Sequence, residues 1–211
     1  MLPQLIETMR VEPDGAMPLL ARHIDRLGAS CIALGYAWPE REILAAVEQA
    51  AAALPRGQAH RLRLLLDRHG AWTMESAPLP DLPAPVRVAV SSRPLDSQAL
   101  LLRHKTTHRP WYGEAAGWLQ CHPDHFDVLF FNEKGELCEG TRSNVYVLRD
   151  GQWITPAVAC GLLPGVQRAQ LLEEGKAVEG VLGARDLREA QGIRLSNALR
   201  GWIDATLQTD A

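Results

Sequence analysis

The sequence from Glu139 to Asn144 reads Glu-Gly-Thr-Arg-Ser-Asn and interrupts a region that otherwise favours β-strands. Apolar residues run from 128 to 131 before it and from 145 to 148 after it. A glycine followed by polar residues weakens a purely structural strand, because glycine has no side chain to pack. The segment therefore indicates either a bulge or irregular hairpin corner, or side chains that are placed there for chemistry.

Two other segments are also difficult to explain by folding alone. Residues 161–168 read Gly-Leu-Leu-Pro-Gly-Val-Gln-Arg, which predicts a glycine-flanked turn that enters a helix. The first N–H groups of a helix have no partner within the helix, so such a start can bind phosphate. The segment His104-Lys105-Thr106-Thr107 follows three leucines, which predicts a lysine at the end of a buried strand. Burial of an amine is costly unless the amine is used, and the alternative is a lysine whose charged end reaches solvent.

The rest of the pattern predicts an α/β protein of the α+β type with two small lobes. The predicted strands are 5–11, 61–64, 72–75, 86–90, 127–132, 137–148 and 193–195, and the predicted helices are 18–36, 39–54, 110–120, 164–174 and 186–191. Four prolines fall between 78 and 85, and such a run cannot lie inside a sheet or a helix. We therefore predict an N-terminal lobe at 1–76, a stiff linker at 77–85 and a C-terminal lobe at 86–211, with the site in the cleft between the lobes.

Composition and charge exclude several functions. The chain has 22 Lys and Arg residues against 25 Asp and Glu residues, and its net charge of -3 gives no attraction to nucleic acid. Charged residues or prolines interrupt every apolar stretch before it reaches the length of a membrane span, and no signal peptide opens the chain. The cysteines at 31, 121, 138 and 160 form no disulfide framework, and Cys-His-Pro-Asp-His at 121–125 lacks the spacing of a zinc site. These features predict a cytoplasmic protein that uses no metal ion, membrane or nucleic acid.

Six segments, taken in order, resemble the class IV (fold type IV) pyridoxal-phosphate (PLP) enzymes. That family contains branched-chain and D-amino-acid aminotransferases and 4-amino-4-deoxychorismate lyases, and the resemblance spans nearly the whole chain. It is closest to the lyase-like domain that is fused behind aminodeoxychorismate synthase components. The matching segments are Glu7–Arg10, His23–Leu27 with Ser30, His104–Thr107, Glu139–Asn144, Gly161–Gly165 and Ser196–Gly201.

The resemblance implies that PLP is the cofactor and that Lys105 binds it covalently. Excluding the other lysines leads to the same residue, because the only others are Lys134 in an exposed turn and Lys176 at a helix end. Neither position offers the desolvation that gives a lysine a neutral, nucleophilic fraction. Once substrate displaces it, the amine of Lys105 would act as the general base. Glu139 would lie beside the pyridine nitrogen, where a carboxylate keeps that nitrogen protonated.

The resemblance also implies how the rest of the cofactor is held. The phosphate is expected on the backbone N–H groups of Val166 and Gln167, with Arg26 as a bidentate partner. Asn197, in a turn after an apolar strand, would complete the phosphate end. Tyr112 is expected to contact the phenolic oxygen of the cofactor, although transaminases of this fold usually place that tyrosine nearer to the lysine.

Substrate groups are predicted from charge. Anionic substrates need cations at fixed positions, and Arg63, Arg142 and Arg200 are the candidates. For each of them, the alternative is an ordinary surface arginine. Longer family members have a further segment before the strand that holds Glu7, so part of the pocket wall is expected either to be missing or to come from a partner subunit. The family closes the cleft with a neighbouring subunit, so the resemblance implies a homodimer.

Three functions remain open at this point. The first, which we favour, is a lyase that releases 4-aminobenzoate, a folate precursor, and pyruvate from 4-amino-4-deoxychorismate. Thr8 favours it, because the Glu-Thr-x-Arg segment that contains it resembles the corresponding segment of the lyases. A hydroxyl at this position is able to hold or relay a proton. The triplet Asn197-Ala198-Leu199 also resembles lyases. The second is an aminotransferase acting on branched-chain or D-amino acids with the same Lys105 and Glu139, and the third is a PLP-binding scaffold without turnover.

Overall fold

The computed structural model describes residues 3–208, and the chain forms two compact units. The first unit extends to Asp81 and also includes His104–His108, whereas the second contains Leu82–Arg103 and continues from Arg109. The mixed α/β fold predicted from the sequence is confirmed. Within the described residues, no helix has both the length and the apolar character needed to cross a bilayer.

The first unit is a three-stranded antiparallel sheet with two helices packed on one face. Its elements are β1 (Leu5–Val11), α1 (Leu20–Leu34), α2 (Glu40–Ala52), β2 (His60–Leu66) and β3 (Trp72–Pro78). Buried and half-buried residues alternate along β2, because successive side chains of a strand point to opposite faces. The buried face packs against helix residues such as Leu27 and Ile43. β3 continues to Pro78, so it ends inside the segment predicted as a linker.

A short segment along the outer edge of β1 explains why His104–His108 belongs to the first unit. The N–H of Ile6 donates to the carbonyl of Lys105 at 2.8 Å. The N–H of Thr107 donates to the carbonyl of Gln4 at 2.9 Å. These antiparallel bonds extend the sheet beyond β1. The sequence predicted this segment in the C-terminal lobe, because nothing in its composition indicates a distant partner.

The leucines before Lys105 do not form the buried strand that the sequence predicted. Leu100–Arg103 is a 3-10 turn, in which Leu102 is buried but Leu100 is 60% exposed. A helix with three residues per turn directs consecutive side chains in three different directions, so three leucines in a row cannot share one buried face. Lys105 therefore follows a turn and enters the edge of the first sheet.

The second unit is built on an eight-stranded mixed sheet. Its strands are β4 (Val86–Val90), β5 (His125–Phe131), β6 (Leu137–Gly140), β7 (Asn144–Arg149), β8 (Gln152–Pro156), β9 (Val178–Gly180), β10 (Gly192–Asn197) and β11 (Gly201–Leu207). Its helices are α3 (Gly113–Cys121), α4 (Val166–Glu173) and α5 (Ala184–Arg188). The strand order is β6-β5-β4-β11-β10-β7-β8-β9. The strand predicted at 137–148 is divided into β6 and β7 by a corner at 141–143, and β9 and β11 were not predicted.

Candidate active site

Backbone register brings three predicted site residues to one face of the first sheet. Thr8 lies opposite Arg63 in the antiparallel pairing of β1 with β2. The pairing at the other edge of β1 sets Lys105 opposite Ile6. Opposed residues of antiparallel strands point to the same face, as do residues two apart in one strand. Lys105, Thr8 and Arg63 therefore share the face that lies away from α1 and α2.

This face of the first sheet carries excess positive charge. Arg61 and Arg63 share one counter-charge, because Oε1 of Glu75 lies 3.2 Å from Nη2 of Arg61 and 3.8 Å from Nη1 of Arg63. Nε of Arg61 and Nε of Arg63 are both buried, and neither has a hydrogen-bond partner among the described residues. One carboxylate against two guanidinium groups leaves this face suited to an anion.

The opposite face of β1 carries a buried cluster of charges around Glu7. Arg26 donates from Nε to Oε1 at 2.9 Å and from Nη2 to Oε2 at 2.6 Å, and Nδ1 of His23 lies 2.6 Å from Oε2. Burial acts to raise the pKa of Glu7, but the charges of Arg26 and His23 and their hydrogen bonds outweigh it and lower the pKa to about 2. Glu7 is thus an ionised carboxylate that fixes the guanidinium of Arg26.

Arg26, which the sequence predicted as a bidentate partner of the phosphate, is bound to Glu7 through one edge of its guanidinium. Its forked pair of donors, Nε and Nη2, is used by Glu7, and Nη1 lies outside that pair. A guanidinium has five N–H donors, so the end-on fork of Nη1 with the second N–H of Nη2 still has the geometry that a phosphate needs. The phosphate contact of Arg26 therefore stays a prediction. Nearby, Nδ1 of His104 lies 3.0 Å from Oγ of Ser30, which joins two of the segments named above.

In the second unit, Glu139 is held by a tyrosine. Glu139 lies on β6 and is 5% exposed, and the hydroxyl of Tyr112 donates to its Oε1 at 2.5 Å. Burial, followed by the charge of Glu139 and this hydrogen bond, raises the pKa of Tyr112 well above its ordinary range. Tyr112 therefore donates its hydroxyl hydrogen to Glu139. The sequence instead led us to expect a direct contact between this hydroxyl and the phenolic oxygen of the cofactor.

A buried aspartate that the sequence did not single out shapes the corner after Glu139. Asp127 lies on β5 and has no exposed surface. Its Oδ1 accepts the N–H and the hydroxyl of Thr141 at 2.8 and 2.5 Å, and its Oδ2 accepts the hydroxyl of Ser143 at 2.5 Å. A Cβ on Gly140 would lie 2.3 Å from Oδ2, so this position has no room for a side chain. The polar residues of the corner thus bind Asp127.

The helix predicted at 164–174 is observed as α4, and its start is packed against the same corner. The N–H groups of Val166 and Gln167 are in the first turn of α4, so they have no partner inside the helix. Nδ2 of Asn144 donates to the carbonyl of Leu163 at 2.9 Å. A Cβ on Gly165 would lie 2.1 Å from Oδ1 of Asn144. Asn144 therefore fixes the turn from which α4 begins.

Asn197 uses its polar atoms in the turn between β10 and β11. Its Oδ1 accepts the N–H groups of Leu199 and Arg200 at 3.1 and 3.0 Å, and its Nδ2 lies 3.4 Å from the carbonyl of Arg142. The side chain of Asn197 therefore links the turn that carries Arg200 to the corner that carries Arg142. Arg142 is exposed, and its guanidinium lies 5.7 Å from the ring centroid of Phe126.

The predicted residues thus fall into two groups, one in each unit. The first group, in the first unit, contains Lys105, Thr8 and Arg63, and also Arg26, which lies on α1 at the other face of the sheet. The second group, in the second unit, contains Glu139, Tyr112, Val166, Gln167, Asn197, Arg142 and Arg200. Across residues 3–208 there is no cluster of three His, Cys, Asp or Glu side chains arranged to hold a metal ion.

Comparison with known proteins gives one family. The model of the amino-transferase class IV family matches residues 4–207. The chain is 33% identical over 198 residues to a Schizosaccharomyces pombe protein named "Putative aminodeoxychorismate lyase", covering 89% of this chain and 83% of that protein. It is 31% identical over 139 residues to the aminodeoxychorismate lyase of Saccharomyces cerevisiae, covering 58% of this chain and 37% of that protein. The crystal structure of a "Putative amino-acid aminotransferase" from Mesorhizobium loti is similar with a TM-score of 0.90 and 39% identity, over 98% of this chain and 100% of that one.

Proposed function

Because the chain belongs to the class IV aminotransferase family, whose members are PLP-dependent, we propose that it is a 4-amino-4-deoxychorismate lyase that releases 4-aminobenzoate and pyruvate. The observation that carries this proposal is the face of the first sheet on which the amine of Lys105, the hydroxyl of Thr8 and the guanidinium of Arg63 lie together. An elimination needs a base, a proton donor or relay beside the leaving group, and a cation for the substrate carboxylate. Similarity to two proteins named aminodeoxychorismate lyase supports the same reaction.

The residues present fit PLP as the cofactor. Its aldehyde requires an amine, its ring nitrogen an anionic partner, and its phosphate a set of N–H donors. Lys105 is half-buried and provides the amine, and the buried Glu139 provides the carboxylate. The first turn of α4 provides the N–H groups of Val166 and Gln167. When bound, PLP supplies the electron sink that stabilises negative charge on the substrate.

The proposal gives each side chain a defined task. The amine of Lys105 removes the ring proton of the substrate, and Glu139 holds a proton on the ring nitrogen of the cofactor. The hydroxyl of Thr8 holds or relays a proton near the departing pyruvate. Arg63 orients a substrate carboxylate, and Arg142 is proposed for the second anionic group together with Arg200. Asn197 acts indirectly, through the turn that it shapes.

The experiment that tests the lyase is a product balance. Purified protein with PLP and 4-amino-4-deoxychorismate is expected to release 4-aminobenzoate and pyruvate in equal amounts without a keto acid. Thr8→Gly is expected to lower this release on the order of 10²-fold, the size typical of a lost proton-transfer group, while PLP binding is retained. Thr73→Gly is the control. Thr73 is an exposed residue of β3 in the same sheet, and its replacement is expected to keep the activity.

Two further outcomes complete this test. Lys105→Ala is expected to abolish both product release and the trapping of PLP by borohydride. Pyruvate that forms only when an amino donor or acceptor is added, with no effect of Thr8→Gly, would contradict the lyase.

An aminotransferase is the second candidate function. The Mesorhizobium loti structure favours it, because that protein is 39% identical, matches this chain over its full length, and is named an amino-acid aminotransferase. The roles of Lys105 and Glu139 are the same in both reactions, since fold and cofactor do not select between them. Incubation with branched-chain or D-amino acids and 2-oxoglutarate, followed by measurement of glutamate, distinguishes the two.

Two properties of the whole protein are also proposed. The resemblance to the family supports a homodimer. All four cysteines are free, and three of them are buried, which supports a reducing compartment such as the cytoplasm.

A further inference from the structure

The contact between Tyr112 and Glu139 is not explained by folding alone. Both side chains are 5% exposed, and the hydroxyl oxygen of Tyr112 lies 2.5 Å from Oε1 of Glu139. A hydrogen bond that donates to a carboxylate is about twice as strong as one between neutral groups. Because it uses Oε1, this bond also determines the direction in which Oε2 points.

Tyr112 is a permanent donor in this contact. Burial and the charge of Glu139 both raise its pKa well above the ordinary range, so the phenol keeps its proton at neutral pH. Such a phenol neither accepts nor gives up a proton during a reaction. Its effect on chemistry must therefore pass through the group that it holds.

The ring of Tyr112 is itself fixed on several sides. It ends the 3-10 turn Pro110–Tyr112 and meets Phe130 edge-on, with ring centroids 5.2 Å apart at 69°. The guanidinium of Arg109 lies 4.6 Å from its ring centroid, and Nη2 of Arg109 donates to the carbonyl of Thr141. The same arginine thus contacts both the tyrosine and the corner that follows Glu139.

We propose that Tyr112 is a positioning residue that holds the carboxylate of Glu139 in one rotamer for the ring nitrogen of PLP. This inference rests on the proposed function, because it gives Glu139 its partner. It replaces the direct cofactor contact expected for Tyr112. Arg109, which contacts both the ring of Tyr112 and the carbonyl of Thr141, stabilises the position of the pair. The signature of this role is dependence on Glu139, since Tyr112 has no effect on the reaction except through that carboxylate.

A double-mutant cycle tests the proposal. Tyr112→Phe keeps the ring and removes only the hydroxyl, and it is expected to lower kcat about 10-fold, with KM for substrate within about 2-fold, as for other residues that orient a ligand from behind. In the Glu139→Gln background, the same change is expected to cost less than about 2-fold, because coupled residues do not add. The dissociation constant of PLP, measured from its visible absorbance, is expected to rise several-fold for Tyr112→Phe.

Tyr36→Phe is the matched control. Its hydroxyl also donates one hydrogen bond, to the carbonyl of Pro3 in the first unit, and its removal is expected to leave kcat and PLP binding unchanged. Arg109→Ala provides a second variant in case Tyr112→Phe does not fold. It is expected to give a smaller loss of kcat in the same direction, which again disappears in the Glu139→Gln background.

The outcomes separate this inference from the proposed function. If the wild-type protein binds no PLP, the proposed function fails. If it binds PLP but Tyr112→Phe matches wild type in kcat and PLP affinity, only the positioning role is overturned. Losses from Tyr112→Phe and Glu139→Gln that multiply in the double mutant would also overturn it, because Tyr112 would then act somewhere else.

Discussion

At the scale of single residues, Asp127 supports the corner after Glu139 although no role in contacting cofactor or substrate is proposed for it. Its carboxylate accepts hydrogen bonds from Thr141, Arg142 and Ser143. An asparagine would keep the shape of Asp127 but would direct an NH2 group toward these donors. Two donors that face each other in a buried place leave both unsatisfied, which is costly.

Asp127→Asn is therefore expected to lower the free energy of unfolding by about 2–4 kcal/mol. Urea denaturation followed by circular dichroism measures the difference. The control is Asp124→Asn, since Asp124 forms an exposed ion pair with Arg87 and its loss is expected to leave the free energy of unfolding nearly unchanged. Equal midpoints for the two variants would show that the corner does not depend on the buried carboxylate.

Glu7 gives the first unit a defined response to acid. Its pKa is about 2 in the folded protein against an ordinary value of 4.5, so the folded state favours the ionised carboxylate. This contribution, about 3 kcal/mol, is fully present above pH about 5 and is lost as the pH falls toward 2. Glu7→Gln is expected to reduce the loss of stability over that range, as measured by thermal unfolding at stepwise pH.

Glu48→Gln, on the exposed side of α2, is the control and is expected to keep the wild-type slope. A Glu7→Gln variant that loses stability between pH 5 and pH 2 as steeply as wild type would exclude Glu7 as the source.

Lys105 and Glu139 stood out in the sequence because of the segments around them, and their roles stay predictions that rest on the resemblance to the family. Asp127 did not stand out, although a single acidic residue between Phe126 and Val128 was a visible signal. Its partners lie 14–16 positions later in the chain, and local patterns carry no information on which distant hydroxyl a carboxylate meets. The same reason hides the pair of Tyr112 with Glu139.

At the scale of elements, the corner between β6 and β7 and the start of α4 form one packed structure. Asn144 is the first residue of β7, and its side chain contacts the turn that precedes α4. Gly165 leaves the space that this side chain occupies. The two glycine-containing segments that were difficult to explain separately therefore determine each other's geometry.

Gly165→Ala is expected to weaken PLP binding at least 10-fold, because the new methyl group would displace Asn144 and with it the first turn of α4. Titration of the apoprotein with PLP measures this loss. The control is Gly117→Ala on α3, where a Cβ would meet nothing within 4 Å and a helix interior favours alanine by about 0.5–1 kcal/mol. Unchanged PLP affinity in Gly165→Ala would show that the start of α4 does not bind the phosphate.

Elements with strong local patterns were predicted, and elements defined by distant pairing were not. β1 was predicted with its observed bounds, because the turn residues Pro13, Asp14 and Gly15 mark its end. β9 has only three residues, too few for a local pattern, whereas β11 forms a hairpin with β10 as well as pairing with the distant β4 and was missed. The three leucines before Lys105 were assigned to a strand because an apolar run of that length does not reveal its period.

At the scale of the whole molecule, a homodimer is the expected state. Sedimentation at micromolar concentration is predicted to give twice the chain mass of 23.2 kDa, with PLP bound. The reason is that the family resemblance implies a pocket closed by a neighbouring subunit. A monomer that binds PLP fully and turns over substrate would contradict the prediction.

The edge pairing of His104–His108 has a consequence for synthesis on the ribosome. When the chain has emerged only to Asp81, β1 still lacks the neighbour whose N–H and carbonyl groups meet Ile6 and Gln4. An unpaired strand edge invites association with other chains. The first unit is therefore completed only when the segment His104–His108 has been translated. The nascent chain is exposed to misassembly during that interval, which ends with the arrival of the segment that carries the proposed catalytic lysine.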